Sequence, residues 1–559
     1  MAVSNRHFLP AVFCAIPVII FFAAVFTMSV NVPFQDDFDG LLEPVLLLQA
    51  GQHTWGEFWN VIYAQDDERR IVVDRLIAWG IFKLTGVLNL KAMIIAGAFN
   101  LLVLAFVLYR WFRDTGTSWL LFLPVPWLLF NVQFYETVFW AMIPFQHLAV
   151  FVWAILTIWL LSRDSVASFG AALITAVLTI YADVSGNFIL PAGALVLVAR
   201  QNWRLLAVWL VVTGIVVWYY FSGLVIPEYR PKFSDNFSQP LLLVTVMTTL
   251  LGIWSDPGPT FPMILREGVS LIMGAAFLIF TLTVLFKTVV TLLENKKPLD
   301  KNDAFLWGSV CFTGIVLAVL ASGRASEGLE SIFKPRYRHM YVIWLIFVYL
   351  LAVRYYPRWF GPRIVKTGLL AGSVLFCINA YIMYWGGLDR YRKTFLADAY
   401  QWYHNRSLPS SPIYMALRKR VDDIYEGVYR EEIYVPEKYP FAGLPGAPVK
   451  GETEIELNRH GNGIESIEVV IKKTERTMGK NDGAYVIFRA ADGETHILPA
   501  YQTQRPLHRL LIDRSYYYPE ARTDHYLAGY FRAAEFDIEV GVIQGKNQYR
   551  LLTGKQLRL

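Results

Sequence analysis

Residues 8–28 read FLPAVFCAIPVIIFFAAVFTM, an apolar run without a single charged residue. A helix needs about 20 such residues to cross the hydrocarbon core of a bilayer. Arg6 precedes the run, and no small-residue cleavage site with a soluble chain behind it follows, so we expect a retained membrane helix. The whole chain agrees, because 55% of its residues are hydrophobic and only 17% are charged, against about 25% charged residues in soluble domains.

Further apolar runs of near-spanning length predict an α-helical polytopic membrane protein with about eleven transmembrane helices. They lie at 91–110, 118–135, 143–161, 166–182, 186–199, 204–222, 267–292, 304–322, 340–355 and 366–386. Basic residues cluster in alternate connections, which the positive-inside rule assigns to the cytoplasm. The short run 241–254 is expected to be re-entrant or interfacial; as a full span it would give twelve helices and place the tail inside.

This topology predicts a cytoplasmic N-terminus and three regions. Residues 1–390 form the transmembrane domain, whose first external loop, residues 30–90, carries amphipathic juxtamembrane helices. Residues 391–450 form a helical extension and a Pro/Gly linker. Alternating apolar and polar residues between turns in 451–559 indicate a β-rich, sandwich-like domain outside the membrane.

Composition and cysteine usage exclude several classes of partner. The net charge of +6 is modest, and the basic residues lie in short loops, as membrane orientation requires, so we expect membrane lipids and no nucleic acid as partners. Cys14, Cys311 and Cys377 all fall inside apolar runs, where a thiol usually packs as a small apolar side chain. We therefore expect neither a disulfide framework nor a thiolate metal site.

Paired acids open the first external loop, in the sequence Pro33-Phe34-Gln35-Asp36-Asp37-Phe38-Asp39. Adjacent carboxylates raise each other's pKa unless a cation or a substrate proton relieves them, which suits a general base. We therefore predict that Asp36 and Asp37 are catalytic. A solvated loop or a helix N-cap is the structural alternative, and a divalent cation, Mg²⁺ or Mn²⁺, could bind the same pair.

A second acidic and basic patch lies in the same loop. Asp67 and Glu68 could position an acceptor, and Arg69 and Arg70 could hold a phosphate through paired N–H donors. The alternative is an ordinary helix start, with acids in the first turn favoured by the helix dipole.

Basic residues also surround a late loop that the topology places outside, against the positive-inside rule. A phosphate group would explain them, since arginine presents a planar fork to phosphate oxygens; the alternative is snorkelling to lipid headgroups. The expected phosphate-binding residues are Arg324, Arg336, Tyr337, Lys334 and Arg338, with Arg324 and Arg336 ahead of the others.

Polar residues near the external helix ends complete the expected site. Glu136 and Asp183 are expected to bind donor or acceptor, because ionisable groups at membrane depth are usually functional. His147 has no second His or Cys at ligand spacing, so we assign no metal to it.

A first helix, an external loop opening with paired acids, juxtamembrane helices and many further spans resemble the GT-C superfamily of integral-membrane glycosyltransferases. Protein mannosyltransferases, the aminoarabinose transferase of lipid A and O-antigen glucosyltransferases share this plan. The resemblance covers roughly residues 1–390. It maps the family's loop acid onto Asp36 or Asp37, and it likens Asp67-Glu68-Arg69-Arg70 and Arg336-Tyr337 to short motifs of bacterial members.

The resemblance implies an inverting transferase of the bacterial inner membrane, with its active site and C-terminal domain in the periplasm. Its donor would be a polyprenyl-phosphate-linked sugar, and its acceptor a periplasmic glycan, lipid or protein. A lipid-linked glycan polymerase or ligase, a flippase or transporter of lipid-linked glycans, and a non-catalytic scaffold or sensor are the rival readings.

Overall fold

The computed structural model describes residues 5–51, 53–227, 239–295, 297–410, 414–461, 466–474 and 479–559. The chain forms two compact units. The first consists of Met1–Thr27, Leu47–Gly80 and Met93–Tyr384, and the second of Met28–Leu46, Ile81–Ala92 and Trp385–Leu559. The predicted boundary at residue 390 lies inside a long helix, and the division between the units falls in the same helix.

The first unit is built from helices. Those that lie wholly or mainly in it are α1 (Asn5–Met28), α3 (Trp55–Tyr63), α4 (Val72–Thr85), α5 (Leu90–Ala98), α6 (Asn100–Asp114), α7 (Trp119–Phe122), α8 (Pro124–Leu129), α9 (Tyr135–Phe139), α10 (Ala149–Leu161), α11 (Val166–Ala182), α12 (Ile189–Ala199), α13 (Trp203–Phe221), α14 (Pro240–Gly252), α15 (Met263–Asn295), α16 (Lys301–Arg324) and α17 (Arg338–Tyr355). Helix α2 (Glu43–Gln49) begins in the second unit and ends in the first. Helix α18 (Arg363–Asn405) begins in this unit and continues into the second.

Among the described residues, eight helical segments are long and apolar enough to cross a membrane. They are Pro10–Met28, Leu90–Asp114, Pro144–Leu161, Trp203–Phe221, Met263–Thr291, Lys301–Arg324, Pro335–Tyr355 and Arg363–Asn405. Four further apolar helices are shorter: Trp119–Leu129, Val166–Ala182, Val184–Ala199 and Pro240–Ser255. The sequence thus correctly indicated a helical protein with many apolar spans, whereas the count of about eleven stays a prediction.

The long helices divide into inner and outer ones. About three quarters of the most apolar stretch is buried in Pro144–Leu161 (72%) and Pro335–Tyr355 (78%), but only 17% in Trp203–Phe221. A helix that is apolar on every side needs either protein or lipid around it. The first two therefore form the interior of the bundle, and the third presents its apolar side chains outward.

The predicted span 118–135 differs from the structure. Helices α7 and α8 are separated at Leu123, and α8 ends at Leu129. Pro124 occupies the first turn of α8, where its missing N–H costs no hydrogen bond. The side-chain amide of Asn131 donates a 2.7 Å hydrogen bond to the Leu128 carbonyl, which caps the end of the helix and stops it short of residue 135.

Helices α14 and α15 approach each other closely through glycines. A Cβ atom on Gly252 would lie 1.9 Å from the Ser270 carbonyl oxygen, and one on Gly274 would lie 1.8 Å from the Thr248 carbonyl oxygen. Small residues permit this backbone contact, as they do in many membrane helix pairs. With 13 residues, α14 rises only about 20 Å at 1.5 Å per residue.

Three loops that the basic-residue pattern assigned to one side meet at one end of the first unit. Asp114, the last residue of α6, accepts a 2.5 Å hydrogen bond from Arg163, after α10. The same carboxylate lies 3.8 Å from the ammonium group of Lys301, at the start of α16. These contacts are therefore consistent with the prediction that the three loops lie on the same side of the membrane.

Among its described residues, the second unit contains helices α19 (Tyr414–Arg430) and α20 (Leu507–Asp513) and nine strands. The strands are β1 (Val449–Glu452), β2 (Ile455–His460), β3 (Ser466–Ile471), β4 (Gly483–Arg489), β5 (Thr495–Gln504), β6 (Tyr517–Arg522), β7 (Tyr526–Leu527), β8 (Glu535–Gln544) and β9 (Asn547–Arg558). Their order is β1-β9-β8-β4-β5-β6-β3-β2, with β7 paired to β3. The β-rich tail predicted from alternation is thus present.

Strand β5 is shared between the two halves of this sheet. Its first part pairs with β4, up to Ala500 opposite Ala484, and its second part pairs with β6, from Tyr501 opposite Arg522. Apolar side chains of both halves, such as Val469 and Val486, fill one common core. The other face of β4 and β5 packs with a second core that includes Phe395 of α18.

Candidate functional site

The predicted catalytic acids lie in the second unit, in a tight turn. Asp37 is fully buried, and its Oδ2 accepts a 2.9 Å hydrogen bond from the backbone N–H of Phe34. Asp36 is only half-buried, and its carbonyl accepts a 2.8 Å hydrogen bond from Gly40. Gln35 holds a positive φ of 45° before the pair. Asp37 thus serves the turn, and Asp36 is the more accessible acid.

The tail of the chain holds this acidic segment. The hydroxyl of Tyr434 donates a 2.5 Å hydrogen bond to the carbonyl of Asn31, and the backbone N–H of Asn31 donates a 2.8 Å bond to Glu437. The ring of Phe38 packs edge-on against Tyr425 of α19, with centroids 5.3 Å apart. Residues 391–450, expected to be an extension and linker, therefore supply direct partners of the first loop.

The second acidic patch lies in the first unit, in a narrow turn. Asp66 and Arg69 exchange backbone hydrogen bonds of 2.8 and 2.9 Å. Asp67 occupies the tip with a φ of 51° and is exposed, and Glu68 is half-buried. The buried acid of this turn is Asp66, which the sequence analysis did not select, because spacing along the chain does not tell which side of a turn faces inward.

Arg69 joins this turn to Asp183. Its Nε lies 3.3 Å from Oδ2 of Asp66, and its Nη1 lies 4.0 Å from Oδ1 of Asp183. Asp183 follows α11, and its Oδ2 also accepts hydrogen bonds from the backbone and side chain of Ser185, at 3.1 and 2.7 Å. Arg69 and Asp183, predicted separately, are therefore neighbours, although Asp183 also has a capping role.

Arg70 has a structural role at the end of α13. Its guanidinium donates hydrogen bonds of 2.6–2.8 Å to the backbone carbonyls of Tyr63, Tyr220 and Ser222. The guanidinium carbon Cζ of Arg70 also lies 4.0 Å from the centroid of the Tyr63 ring. Cations at a helix C-terminus satisfy carbonyls that lack a partner within the helix. Arg70 thus attaches the first loop to α13.

Asp74, which the sequence analysis also did not select, is fully buried beside this cluster. Within the described part of the chain, neither of its carboxylate oxygens has a hydrogen-bond partner. Burial raises the pKa of Asp74 well above its usual value, against the opposing charge of Arg69, and the acids Asp66 and Asp183 raise it further. Asp74 is therefore expected to hold its proton at neutral pH.

The late basic loop places two arginines on one aromatic ring. The guanidinium carbons of Arg324 and Arg336 lie 5.7 and 5.5 Å from the centroid of the Tyr337 ring. Arg324 also pairs with Glu327. Lys334 is exposed, whereas Arg336 is half-buried. The structure thus brings together Arg324, Arg336 and Tyr337 from the predicted phosphate-binding set.

Glu136 and two histidines border this loop. The carboxylate of Glu136 accepts a hydrogen bond from the backbone of Arg336, and burial raises its pKa despite the nearby positive charge of Arg336. His339 contacts the His147 carbonyl through Nε2 at 3.1 Å and the Thr137 hydroxyl through Nδ1 at 3.1 Å. These contacts fix α9 against the start of α17.

His147 connects the two basic regions of the first unit. Its ring stacks with that of Tyr337 at a centroid distance of 6.4 Å. The positive charges of Arg69, Arg324 and Arg336 all act on this ring. Through Tyr337, the two arginines of the late loop therefore lie beside this histidine, and the charge of Arg69 from the first loop acts on it as well; residues so distant in sequence did not predict this relationship.

Arg338 contacts a different, buried acid. It donates a hydrogen bond to Oδ2 of Asp256, which Arg266 also holds through two 2.9 Å hydrogen bonds. The hydroxyl of Tyr384 lies 3.4 Å from the same oxygen. Burial tends to raise the pKa of Asp256, but the two arginines outweigh it and lower the pKa to about 2. The guanidinium of Arg338 is therefore engaged by Asp256, and the phosphate-binding role expected of Arg338 stays a prediction.

Metal binding has no positive support in the part of the chain that the structure describes. Within those residues, no group of three or more His, Cys, Asp or Glu side chains has an arrangement that could hold a metal ion. A divalent cation at Asp36 and Asp37 therefore stays a prediction.

No protein-family model, curated protein or solved structure matches the chain.

Proposed function

We propose that this chain is an integral-membrane glycosyltransferase. It moves a sugar from a polyprenyl-phosphate donor to a glycan, lipid or protein acceptor, with inversion at the anomeric carbon. We place it in the bacterial inner membrane with its acidic first loop on the periplasmic side. The proposed phosphate-binding arginines, Arg324 and Arg336, lie in the first unit, and the proposed base, Asp36, lies in the second.

The convergence of Arg324 and Arg336 on the ring of Tyr337, which stacks with His147, carries the proposal. Like charges brought together in a partly buried place repel one another, and an anion offsets that cost. Glu327 pairs with Arg324, and Asp66 and Asp183 both engage Arg69 of the first loop. A phosphate group would bind Arg324 and Arg336 through charge-assisted hydrogen bonds, for which the guanidinium fork is well shaped.

The apolar helices support a lipid-linked donor. Three helices leave most of their apolar stretches outside the protein interior. The buried share is 33% in Pro10–Met28, 17% in Trp203–Phe221 and 22% in Met263–Thr291. Such helices provide a body that lipid surrounds, and a polyprenyl chain requires the same solvent. A sugar carried on a soluble nucleotide would not need it.

Asp36 is the proposed general base. The acceptor hydroxyl attacks the anomeric carbon, the bond from that carbon to the phosphate oxygen breaks, and the hydroxyl proton passes to the Asp36 carboxylate. The phosphate leaves with the bonding electrons and remains on the polyprenyl chain. Half-burial leaves Asp36 accessible to a hydroxyl, whereas the Asp37 side chain holds the turn through Phe34.

A transfer assay on the purified full-length chain tests this proposal. Detergent-solubilised protein receives a polyprenyl-phosphate donor with a radiolabelled sugar and the polysaccharide that mild acid releases from the host envelope. We expect labelled polysaccharide and free polyprenyl phosphate in equal amounts. Donor that stays intact, or that crosses the bilayer of proteoliposomes unchanged, would contradict transferase activity, because a flippase breaks no glycosidic bond.

A further inference from the structure

A cavity lies in the second unit between the first loop and helix α19. Its volume is about 420 Å³, and it is lined by Glu43, Leu417, Lys419, Arg420, Asp423 and Ile424. Small-molecule sites commonly measure roughly 300–1,000 Å³. The cavity is open to solvent and large enough for a small organic ligand; five of its six lining residues belong to α19, and Glu43 comes from the first loop.

Ion pairs connect the two walls. Nη2 of Arg420 donates a 2.7 Å hydrogen bond to Glu43, and its Nε lies 3.2 Å from Oδ1 of Asp39. The Arg420 side chain stays 55% exposed while making both contacts. A ligand in the cavity can therefore reach the guanidinium and the Glu43 carboxylate together.

One turn of the first loop links the proposed base to a residue of the cavity lining, because Arg420 pairs with Asp39. The backbone N–H of Gly40 donates to the Asp36 carbonyl at 2.8 Å, so Asp36 and Asp39 belong to one turn. On the helix side, Gly427 packs against Leu46, where an added Cβ would lie 2.6 Å from the Leu46 Cδ2. These contacts fix α19 against the segment that carries Asp36.

The lining chemistry selects the class of ligand. Lys419, Arg420 and Asp423 of α19, together with Glu43 of the first loop, give the lining two positive and two negative charges, so the charges balance. A polyanion or a polycation would meet as much repulsion as attraction. A neutral polyol instead donates its hydroxyl hydrogens to the carboxylates and accepts hydrogen bonds from the cations.

We propose that this cavity is the acceptor subsite and that its ligand is a neutral, polyhydroxylated saccharide. The inference rests on the proposed function, since the word acceptor presumes sugar transfer. It deepens that function by naming one acceptor class among glycan, lipid and protein. Helix α19 then contributes the binding wall opposite the first loop.

Binding is tested without catalysis by cysteine protection. Leu417→Cys places a thiol in the cavity wall, where the native side chain is 42% exposed. Labelling of this variant by a charged maleimide is followed with and without the mild-acid polysaccharide, after subtraction of the labelling of Cys14, Cys311 and Cys377 in the wild type. Ile512→Cys, at a position 69% exposed on α20, is the control.

The polysaccharide is expected to slow labelling at position 417 at least fivefold and to leave position 512 unchanged. Inorganic polyphosphate of similar length is expected to protect neither position. Equal labelling rates at position 417 with and without polysaccharide would overturn the subsite. Equal protection by polyphosphate would overturn the assignment to a neutral ligand.

Kinetics of the transfer reaction separate the two proposals. Leu417→Trp and Lys419→Ala are each expected to raise the acceptor KM about tenfold. Arg430→Ala, on the same helix but 80% exposed in its side chain and outside the cavity, is the matched control. Unchanged acceptor KM in both cavity variants overturns the subsite alone. If the polysaccharide protects position 417 in a protein that never turns over donor, the transferase proposal is overturned and the saccharide site is retained.

Discussion

Arg338 donates a hydrogen bond to Asp256 although 2% of its side chain and none of the Asp256 side chain is exposed. Arg266 reaches the same carboxylate, so one buried negative charge holds two positive ones. These residues come from the loop after α14 and from the starts of α15 and α17. The acid therefore fixes three segments of the first unit, including the one that carries Arg336.

Asp256→Asn is expected to destabilise the protein by about 3–5 kcal/mol, because removing one partner leaves buried charge uncompensated. The pKa of Asp256 is lowered to about 2, so this stabilisation is present above the unfolded pKa near 4 and is lost as the pH falls through about 2. Thermal unfolding in detergent measures the effect. Asp164→Asn, whose side chain is 73% exposed in its pair with Arg200, should cost under about 1 kcal/mol.

Asp74→Asn is expected to make stability less dependent on pH. The pKa of Asp74 is raised in the folded state, so between the unfolded value near 4 and the folded pKa the folded chain binds the extra proton. Stability of the wild type then falls with rising pH by up to about 1.4 kcal/mol per unit. Unfolding midpoints from pH 5 to 8 measure this. If the unfolding midpoints of the wild type and of the variant change in parallel with pH, the proposal that the Asp74 carboxyl is protonated is contradicted.

Gly252→Ala and Gly274→Ala are expected to destabilise the first unit by about 1–3 kcal/mol or more, because each Cβ would collide with the backbone of the partner helix. Gly268→Ala, also in α15, has no atom within 4 Å of its added Cβ. That control should be neutral or stabilising by up to about 1 kcal/mol. Three equal unfolding midpoints would argue against the close crossing of α14 and α15.

Arg324→Ala and Arg336→Ala are each expected to raise the donor KM about tenfold to a hundredfold, since a charge-assisted hydrogen bond is worth about 1.5–3 kcal/mol. The acceptor KM should not change. Steady-state transfer at varied donor concentration measures the effect, with the exposed Arg358→Ala as the control. An unchanged donor KM in both variants would remove these arginines from the phosphate site.

The sequence revealed the helical, apolar body and the β-rich tail because the hydrophobic patterns of helices and strands are local. It grouped Arg324, Arg336 and Tyr337 in one late loop, but it offered Arg69 and Asp183 from separate segments without indicating that they are neighbours. It selected Asp67 rather than Asp66, because the side of a turn that becomes buried depends on what packs against it. Similarly, no local pattern indicates that Arg338 would pair with Asp256.

The partners of the first loop show the same limit. Arg420 pairs with Asp39 and Glu43, yet α19 is an ordinary amphipathic helix in sequence, with charges spaced as on any solvent-exposed face. Long-range contacts of this kind follow from the tertiary fold. The sequence therefore indicated a helical extension in this region but not that one of its helices packs against the first loop.

The central claim is that an acid of the first loop accepts the proton of the acceptor. It is tested most directly by sugar transfer from a polyprenyl-phosphate donor with Asp36→Asn and Asp37→Asn, purified separately and checked for unchanged unfolding midpoints. We predict that Asp36→Asn lowers kcat at least about 100-fold, the usual contribution of a general base, with the donor KM unchanged. Full transfer by both variants would contradict the account.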